Sequence, residues 1–292
     1  MSATYLHRLA ARSAALGTVL CLGVDPDPES LPEGFSRDVA GVEAFARLLV
    51  EAAAPFAAAV KPTLAFFEAF GSAGVAALER VRAAIPSDVP VILDAKRGDI
   101  RTTTARHAVA LYDALGADAV TINPYPGEEA LWPHLERLDR LAYVLCRTSN
   151  PGAAELQGLR LEAAGGAPAE PVYARVARRV SEWGPGGTVG LVVGATAPAE
   201  LREIRAIAPG LPILVPGVGA QGGEVDAILE AGPATAPPAG AGHGGGLLVN
   251  VSRGIAAAAL ESPEAGGAPV LDLGERLAER ARSWGARLPV LR

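Results

Sequence analysis

Cysteine is scarce in this chain, since its 292 residues include only Cys21 and Cys146. Each lies within an apolar run, which argues against a disulfide framework and predicts two buried thiols in a reducing cytoplasm. Runs of Lys or Arg are also lacking, and the formal net charge is -6. Because a nucleic-acid surface needs clustered positive charge, we expect no nucleic-acid partner and a small-molecule ligand instead.

Uninterrupted apolar segments long enough to cross a membrane are lacking as well. The uncharged stretches 206–223 and 231–252 are broken by repeated Gly and Pro, which is not typical of membrane helices. The stretch 13–24 follows Arg8 and Arg12 and imitates a signal peptide, but it continues into an Asp-Pro-rich segment without a small-residue cleavage site. We interpret its end as a strand followed by a loop, and we expect no membrane segment.

Lysine is nearly absent. Of the 26 Lys and Arg residues together, only Lys61 and Lys96 are lysines. Arginine therefore serves wherever a generic cation is enough, and the two lysines are candidates for work that Arg cannot do. An ammonium is compact and can give up a proton, whereas a guanidinium is effectively never deprotonated in proteins. The alternative is that two surface lysines persist by chance.

Short apolar runs alternate with segments of helical periodicity along the whole chain. Strands are predicted at 18–24, 57–61, 89–94, 119–123, 142–147, 189–193, 213–215 and 247–251, and helical spacing is found at 42–54, 73–84, 104–115 and 172–183. Nearly continuous apolar strands are typical of a parallel sheet that is buried on both faces. The order predicts an α/β protein, a single-domain (β/α)₈ TIM barrel over residues 1–292. A doubly wound open sheet is the alternative, and the lack of Gly-x-Gly-x-x-Gly after the first strand argues against it.

Two segments rich in Gly, Ala and Pro interrupt this alternation, at residues 158–171 and 232–246. The second segment lies between a short helix and the eighth strand. We interpret it as an insertion at the face of the barrel away from the chemistry, with His243 incidental.

A charged cluster is predicted within Asp94-Ala95-Lys96-Arg97-Gly98-Asp99. Strand alternation puts Asp94 and Lys96 on the same side, at the carboxyl end of a strand, where barrels carry their active sites. Asp99 follows a glycine and can reach this cavity or that of a neighbouring subunit. Lys61, at the end of the second strand, completes a network of two ammoniums and two carboxylates. A purely structural salt-bridge cluster is the alternative.

An anion site is predicted from the loops that follow the seventh and eighth strands. Glycines in these loops, Gly217, Gly219 and Gly254, let backbone N–H groups approach phosphate oxygens, and Arg253 can add a bidentate contact. Ordinary glycine-rich turns with a surface arginine are the alternative interpretation.

Several motifs for other chemistry are missing. The histidines form no pair with metal-ligand spacing, and neither Gly-x-Ser-x-Gly nor a P-loop occurs. We therefore expect no metal and no organic cofactor, and the sequence disfavours metal hydrolysis and nucleoside-triphosphate chemistry.

Taken in order, the motifs of this chain resemble those of the orotidine 5′-phosphate decarboxylase family, in particular its longer bacterial subgroup, type 2. The resemblance extends from residue 22 to residue 255 and depends on an ordered set of segments: Leu22-Gly23-Val24-Asp25-Pro26, Val60-Lys61-Pro62, Phe66-Phe67-Glu68, Asp94 to Asp99, Asn123-Pro124-Tyr125, Thr148-Ser149-Asn150-Pro151-Gly152-Ala153, Pro216 to Gly223 and Val251-Ser252-Arg253-Gly254-Ile255. The set is specific, although no single segment is.

The resemblance implies cofactor-independent decarboxylation of orotidine 5′-phosphate to uridine 5′-phosphate, the last step of uridylate synthesis, by a homodimer. It implies a role for each residue of the site: a catalytic tetrad of Lys61, Asp94, Lys96 and Asp99, ribose contacts from Asp25 and Thr103, pyrimidine recognition by Ser149, and phosphate binding by Gln221 and Arg253. It also implies that Asp99 and Thr103 act across the dimer interface.

This chemistry fits the residues. Loss of carbon dioxide from C6 of the pyrimidine leaves a poorly stabilised carbanion, so a fixed ammonium should stand where negative charge develops. Lys96 would then donate a proton to C6, for which Arg is unsuited. Three alternatives stay open: a magnesium-dependent barrel enzyme acting on sugar phosphates, a non-catalytic phosphate-binding barrel, and a Schiff-base aldolase.

Overall fold

The computed structural model describes residues 3–163, 165–166, 168–219, 225–236, 246–260 and 272–290. Within these residues eight parallel strands form one sheet: β1 (Leu20–Val24), β2 (Ala59–Pro62), β3 (Ile92–Arg97), β4 (Ala119–Ile122), β5 (Leu141–Arg147), β8 (Val189–Val193), β9 (Ile213–Pro216) and β10 (Leu247–Val251). The remaining strands, β6 (Arg160–Leu161) and β7 (Glu170–Pro171), form a short antiparallel hairpin. All eight predicted strands are present.

The sheet curls into a barrel in the order β2-β1-β10-β9-β8-β5-β4-β3. Its two edges meet, because Val60 N donates to Pro90 O at 3.0 Å and Leu64 N donates to Asp94 O at 3.2 Å. The predicted (β/α)₈ barrel is thereby confirmed, and the open doubly wound sheet is excluded.

Helices surround the strands: α1 (Tyr5–Leu16), α2 (Val39–Ala53), α3 (Ala65–Glu68), α4 (Gly71–Ala84), α5 (Arg101–Ala108), α6 (Glu128–Leu135), α7 (Ala153–Gln157), α8 (Val172–Val180), α9 (Pro198–Ile207), α10 (Val225–Ala231), α11 (Arg253–Ala256) and α12 (Leu273–Arg287). The helix predicted at 104–115 begins three residues earlier, and its second half is a π-helix, Val109–Ala114. No helix in the described part of the chain is long and apolar enough to span a bilayer.

The buried residues form two layers, because successive strand residues point inward and outward alternately. The outer layer packs the strands against the helices and includes Leu20, Leu22 and Val24. The inner layer fills the barrel and includes Cys21, Ala59, Ile92, Ala119, Tyr143, Leu214 and Leu248. Both cysteines are buried and unpaired, as predicted.

Helix α1 closes the amino end of the barrel and is not among the elements predicted from the sequence. Tyr5 from this helix packs into the inner layer, and its hydroxyl lies 3.0 Å from that of Tyr143. Arg8 binds Asp118 at 2.5 Å and Arg12 binds Asp88 at 2.6 Å. The two arginines that imitate the start of a signal peptide therefore hold this helix to the barrel.

Candidate active site

A cavity of about 470 Å³ opens at the carboxyl ends of the barrel strands. Its lining combines charged, polar and apolar side chains: Asp25, Lys61, Thr63, Phe66, Asp94, Lys96, Thr121, Leu145, Thr148, Ser149, Asn150, Val192, Leu214, Pro216, Gly217, Val218, Asn250, Ser252 and Arg253. The size suits a small molecule, and the position is the one at which TIM barrels place their active sites.

Strand register explains why polar residues meet here. Ala59, Ile92, Ala119 and Leu248 belong to the inner layer, and the residues two positions further along these strands point the same way. Those residues are Lys61, Asp94, Thr121 and Asn250, which all line the cavity. The floor of the site is therefore the next layer of the barrel interior, with polar side chains in place of apolar ones.

Asp94 lies between the two lysines of the chain. Its Oδ2 accepts a hydrogen bond from Lys61 Nζ at 2.8 Å, and its Oδ1 accepts one from Lys96 Nζ at 2.5 Å. Lys61 is only 3% exposed, whereas half of the Lys96 side chain is exposed to the cavity mouth. One ammonium thus supports the carboxylate from within the barrel, and the other is accessible to a ligand.

A second carboxylate extends this network. Asp25 Oδ1 lies 4.0 Å from Lys61 Nζ and accepts a hydrogen bond from Thr63 Oγ1 at 2.6 Å. Lys61 Nζ donates to the same Thr63 oxygen at 2.9 Å. Within one chain the charges therefore alternate in the order Asp25, Lys61, Asp94, Lys96, with Asp25 rather than Asp99 as the second carboxylate.

The opposite charges of this network stabilise the ionised forms of Lys61 and Asp94 and shift their pKa values accordingly. Burial alone would lower the pKa of Lys61, but the facing carboxylates of Asp94 and Asp25 outweigh it and hold this pKa above its usual value. Burial would likewise raise the pKa of Asp94, but Lys61 and Lys96 hold it well below its usual value. Opposite charges at these distances favour the ionised forms, so the carboxylate between the lysines is charged at neutral pH.

Lys96 does not follow regular strand geometry. Its φ is 47°, the single positive value at a non-glycine residue in the described ranges, and the pairing of β3 with β4 is irregular between Leu93 and Arg97. A bulge therefore directs the Lys96 side chain, in place of the simple strand alternation predicted from the sequence. Such backbone strain is found at functional sites, where the surroundings enforce it.

The remaining predicted residues are placed as follows. Ser149 lines the cavity, and its backbone oxygen accepts a hydrogen bond from Thr196 Oγ1 at 3.3 Å. Asp99 is exposed and does not line the cavity; its carboxylate accepts a hydrogen bond from Ile100 N at 2.6 Å. Thr103 is half-buried on α5 and also lies outside the lining. These two residues do not join the site of their own chain.

The predicted anion site is partly described. Gly217 and Gly219 follow β9 with φ of 98° and 78°, values that favour glycine. Arg253 is exposed at the cavity rim after β10, and no salt bridge to it is found among the described residues. Gly254 lies in α11 beside it. Gln221 lies outside the described residues, as does His243, and so does most of the segment 232–246.

Sequence reasoning missed three polar lining residues, Thr63, Thr121 and Asn250, whereas Thr148 and Asn150 belong to a segment already singled out in the sequence. Inward register would have found all three, since they lie two residues from Lys61, Asn123 and Ser252, which were quoted in the motifs. The Asn250 side chain donates to Ser252 Oγ at 3.2 Å, and its buried oxygen has no partner in the described part of the chain. In those same ranges no cluster of three metal-ligating side chains occurs.

The fold and the site together define a class, a (β/α)₈-barrel enzyme with an array of alternating charges at the carboxyl face. The chain belongs to the orotidine 5′-phosphate decarboxylase / HUMPS family, whose family model matches residues 18–267. It is 46% identical to an orotidine 5′-phosphate decarboxylase of Thermomicrobium roseum over 98% of this chain and 93% of that protein. It is 47% identical to one of Halorubrum lacusprofundi, over 89% of this chain and 90% of that protein.

This chain is also similar in structure to solved members of this family. The structure of Leishmania donovani OMP decarboxylase is similar with a TM-score of 0.78 and 36% identity, over 97% of this chain and 96% of that one. The similarity covers the whole barrel, so the family resemblance seen in the sequence motifs is confirmed.

Proposed function

We propose that this chain is a carboxy-lyase that converts orotidine 5′-phosphate to uridine 5′-phosphate and carbon dioxide, with Lys96 stabilising and protonating the carbanion. The family and the names of its relatives support the reaction. The observation that carries the assignment of Lys96 is its geometry, because its ammonium is accessible in the cavity while Asp94 holds it at 2.5 Å.

The chemistry follows from the charges. Breaking the bond between C6 and the carboxylate releases carbon dioxide and leaves the electron pair on C6. The Lys96 ammonium beside this carbon stabilises the developing negative charge and then transfers a proton to C6. The neutral amine regains its proton from water, so atoms and charge balance over the cycle. Asp94 also faces the substrate carboxylate. Repulsion between the two carboxylates destabilises the bound substrate relative to the transition state, in which the substrate carboxylate is losing its charge.

Lys61 has a different task from Lys96. It is buried beneath Asp94 and Asp25. Its ammonium donates hydrogen bonds to the carboxylate of Asp94 and to the hydroxyl of Thr63, and it lies 4.0 Å from the carboxylate of Asp25. A buried cation in this position keeps the Asp94 carboxylate ionised and fixes the orientation of both carboxylates. Lys61 therefore maintains the charge pattern, and Lys96 performs the proton transfer.

Substrate binding divides among the walls of the cavity. Ser149 recognises the pyrimidine, and Asp25 binds a ribose hydroxyl. Gly217, Gly219 and Gly254, with Gln221 and Arg253, hold the phosphate. Binding energy from a phosphate held away from the reacting carbon can orient that carbon and favour loop closure.

The functional unit is a homodimer in the cytoplasm, with Asp99 and Thr103 completing the neighbouring site. The exposed position of Asp99 outside its own cavity supports this arrangement. Large apolar side chains are exposed near it, since Ile100 is 67% exposed and Tyr125, after β4, is 96% exposed. Exposed apolar groups beside a site are typical of an interaction surface.

The test is to add orotidine 5′-phosphate to metal-stripped protein and follow the loss of orotate absorbance together with release of carbon dioxide. We expect full turnover without metal. Activity that a chelator abolishes would instead indicate a magnesium-dependent sugar-phosphate enzyme, and trapping of substrate by borohydride would indicate a Schiff base. Tight nucleotide binding without carbon dioxide release would indicate a non-catalytic barrel. Each of these three results would overturn the proposal.

A further inference from the structure

A tryptophan from the last helix touches both loops of the proposed phosphate site. Trp284 lies near the end of α12 and is 7% exposed. Its indole Nε1 donates a hydrogen bond to the backbone oxygen of Gly254, after β10, at 3.1 Å. The edge of its ring also faces Gly219, in the loop after β9. One side chain thus connects two loops that come from different strands.

The packing around this ring is tight on both sides. A Cβ atom added at Gly254 would lie 3.0 Å from Cζ2 of Trp284, and one added at Gly219 would lie 3.3 Å from Cη2. These distances are shorter than most Cβ contacts, so the indole would have to shift slightly to admit a side chain at either position. Gly219 and Gly254 therefore serve a second purpose besides admitting a phosphate, because they let the backbone of each loop lie directly against the indole.

The indole is itself held in place by its own helix. The guanidinium of Arg287 covers the ring at 4.2 Å from its centroid, an arrangement that favours a fixed ring plane. Helix α12 begins with a capping box between Asp272 and Glu275, and Leu277 and Ala281 are buried on its inner face. Contacts within α12 therefore help to hold the ring in place, in addition to its contacts with the two loops.

We propose that Trp284 is a positioning residue that sets the distance and orientation between the two phosphate-binding loops. This inference rests on the proposed function, because it assigns a support to the phosphate site named there. By holding the Gly254 carbonyl, the indole fixes the start of α11 and with it the adjacent Arg253. By filling the space behind Gly219, it prevents the loop after β9 from receding from the phosphate.

The first experiment compares two substrates that differ only in the phosphate, orotidine 5′-phosphate and orotidine. Trp284→Phe keeps a ring but removes the Nε1 donor, and Trp284→Leu removes the ring as well. We expect kcat/KM for the nucleotide to fall about tenfold in the first variant, mainly through KM, and further in the second. The value for the nucleoside should stay within about twofold of wild type, because the nucleoside has no phosphate to occupy the proposed phosphate site.

Trp183 provides a matched control, since it is also 7% exposed and lies after α8, away from the two loops. Trp183→Phe should leave the ratio of the two kcat/KM values unchanged. An equal loss on both substrates in the Trp284 variants would show a purely structural role and overturn the inference. A wild-type protein that does not discriminate between nucleotide and nucleoside would overturn the proposed phosphate site itself, which distinguishes the two failures.

A second measurement leaves residue 284 intact, so it does not depend on the folding of its variants. The chain has three tryptophans, and Trp132→Phe combined with Trp183→Phe leaves Trp284 as the sole indole. Titration with inorganic phosphate, which does not absorb near 280 nm, should change its fluorescence, and excess uridine 5′-phosphate should prevent that change. Fluorescence that does not respond to phosphate concentrations that inhibit turnover would contradict the proposed contact.

Discussion

The hydroxyl of Thr121 connects the backbone of Lys96 to the carboxylate of Asp94. Lys96 N donates to Thr121 Oγ1 at 3.0 Å, and this hydroxyl donates onward to Asp94 Oδ1 at 2.7 Å. The same oxygen Oδ1 accepts from Lys96 Nζ. A side chain on β4 therefore holds both the bulged backbone of Lys96 and the carboxylate that orients its ammonium, which explains how a positive φ at a lysine is maintained.

This relationship predicts that Thr121→Val lowers turnover. Valine has nearly the same shape but no hydroxyl, so Lys96 N and Asp94 each lose a partner while the barrel keeps its packing. We expect kcat to fall about tenfold, with little change in KM, since an unsatisfied buried donor costs about 1–3 kcal/mol. Steady-state kinetics provide the measurement, and Thr121→Ser, which retains the hydroxyl, is the control. Equal activity of the Val and Ser variants would rule out this role.

Replacement of Lys96 by Arg tests the proton transfer directly. Arginine keeps the positive charge beside Asp94 but cannot give up a proton. We expect Lys96→Arg to fold and to bind uridine 5′-phosphate, while kcat falls by at least about 10³-fold. Thermal unfolding and nucleotide binding by calorimetry serve as controls on the same preparation. Near wild-type turnover in this variant would eliminate Lys96 as the proton donor.

Prediction of the fold from sequence was complete for the barrel strands, because strands buried on both faces leave continuous apolar runs. The same property concealed α1. The helix ends at Leu16 and Gly17 follows with φ of 69°, yet β1 begins at Leu20, so helix, turn and strand together form one apolar stretch. A single hydrophobic run contained two elements, and only the glycine marked their boundary.

The site was predictable where it depends on strand ends and unpredictable where it depends on local distortion. Lys61 and Asp94 follow from register alone. The bulge at Lys96 has no local signal, since lysine does not favour positive φ, and its cause is a hydrogen bond to Thr121 on the next strand. The contact of Trp284 with Gly219 and Gly254 joins residues distant in sequence, so no motif could indicate it.

Hybrid dimers test whether Asp99 acts in the neighbouring site. If it does, a dimer of one Lys96→Met chain and one Asp99→Ala chain contains one site with both changes and one site with neither. Such hybrids, purified through two different affinity tags after co-expression, should have about half the wild-type activity per dimer. Each parent homodimer should be nearly inactive. A hybrid as inactive as its parents would show that Asp99 acts within its own chain.

Acid sensitivity should originate at His134 on α6. This imidazole is fully buried, and neither ring nitrogen has a hydrogen-bond partner among the described residues. Its ring meets that of Tyr112 edge-on at 5.7 Å. Burial, followed by the nearby His107 and Arg137, lowers its pKa from 6.5 to about 4. Between about pH 4 and pH 6.5 the folded protein therefore keeps this imidazole neutral, whereas the unfolded chain protonates it.

The sign of the effect follows from this difference. Above pH 6.5 His134 is neutral in both states, and its contribution to stability is fully present. As the pH falls from 6.5 to about 4, the unfolded chain takes up a proton that the folded protein does not, so the free energy of unfolding declines. The loss approaches about 3 kcal/mol over this window.

Urea denaturation between pH 6.5 and pH 4 should show a smaller decline in the free energy of unfolding for His134→Leu than for wild type. The exposed His7 provides the control, since His7→Gln should retain the wild-type slope. Parallel pH profiles for wild type and His134→Leu would show that acid lability arises elsewhere.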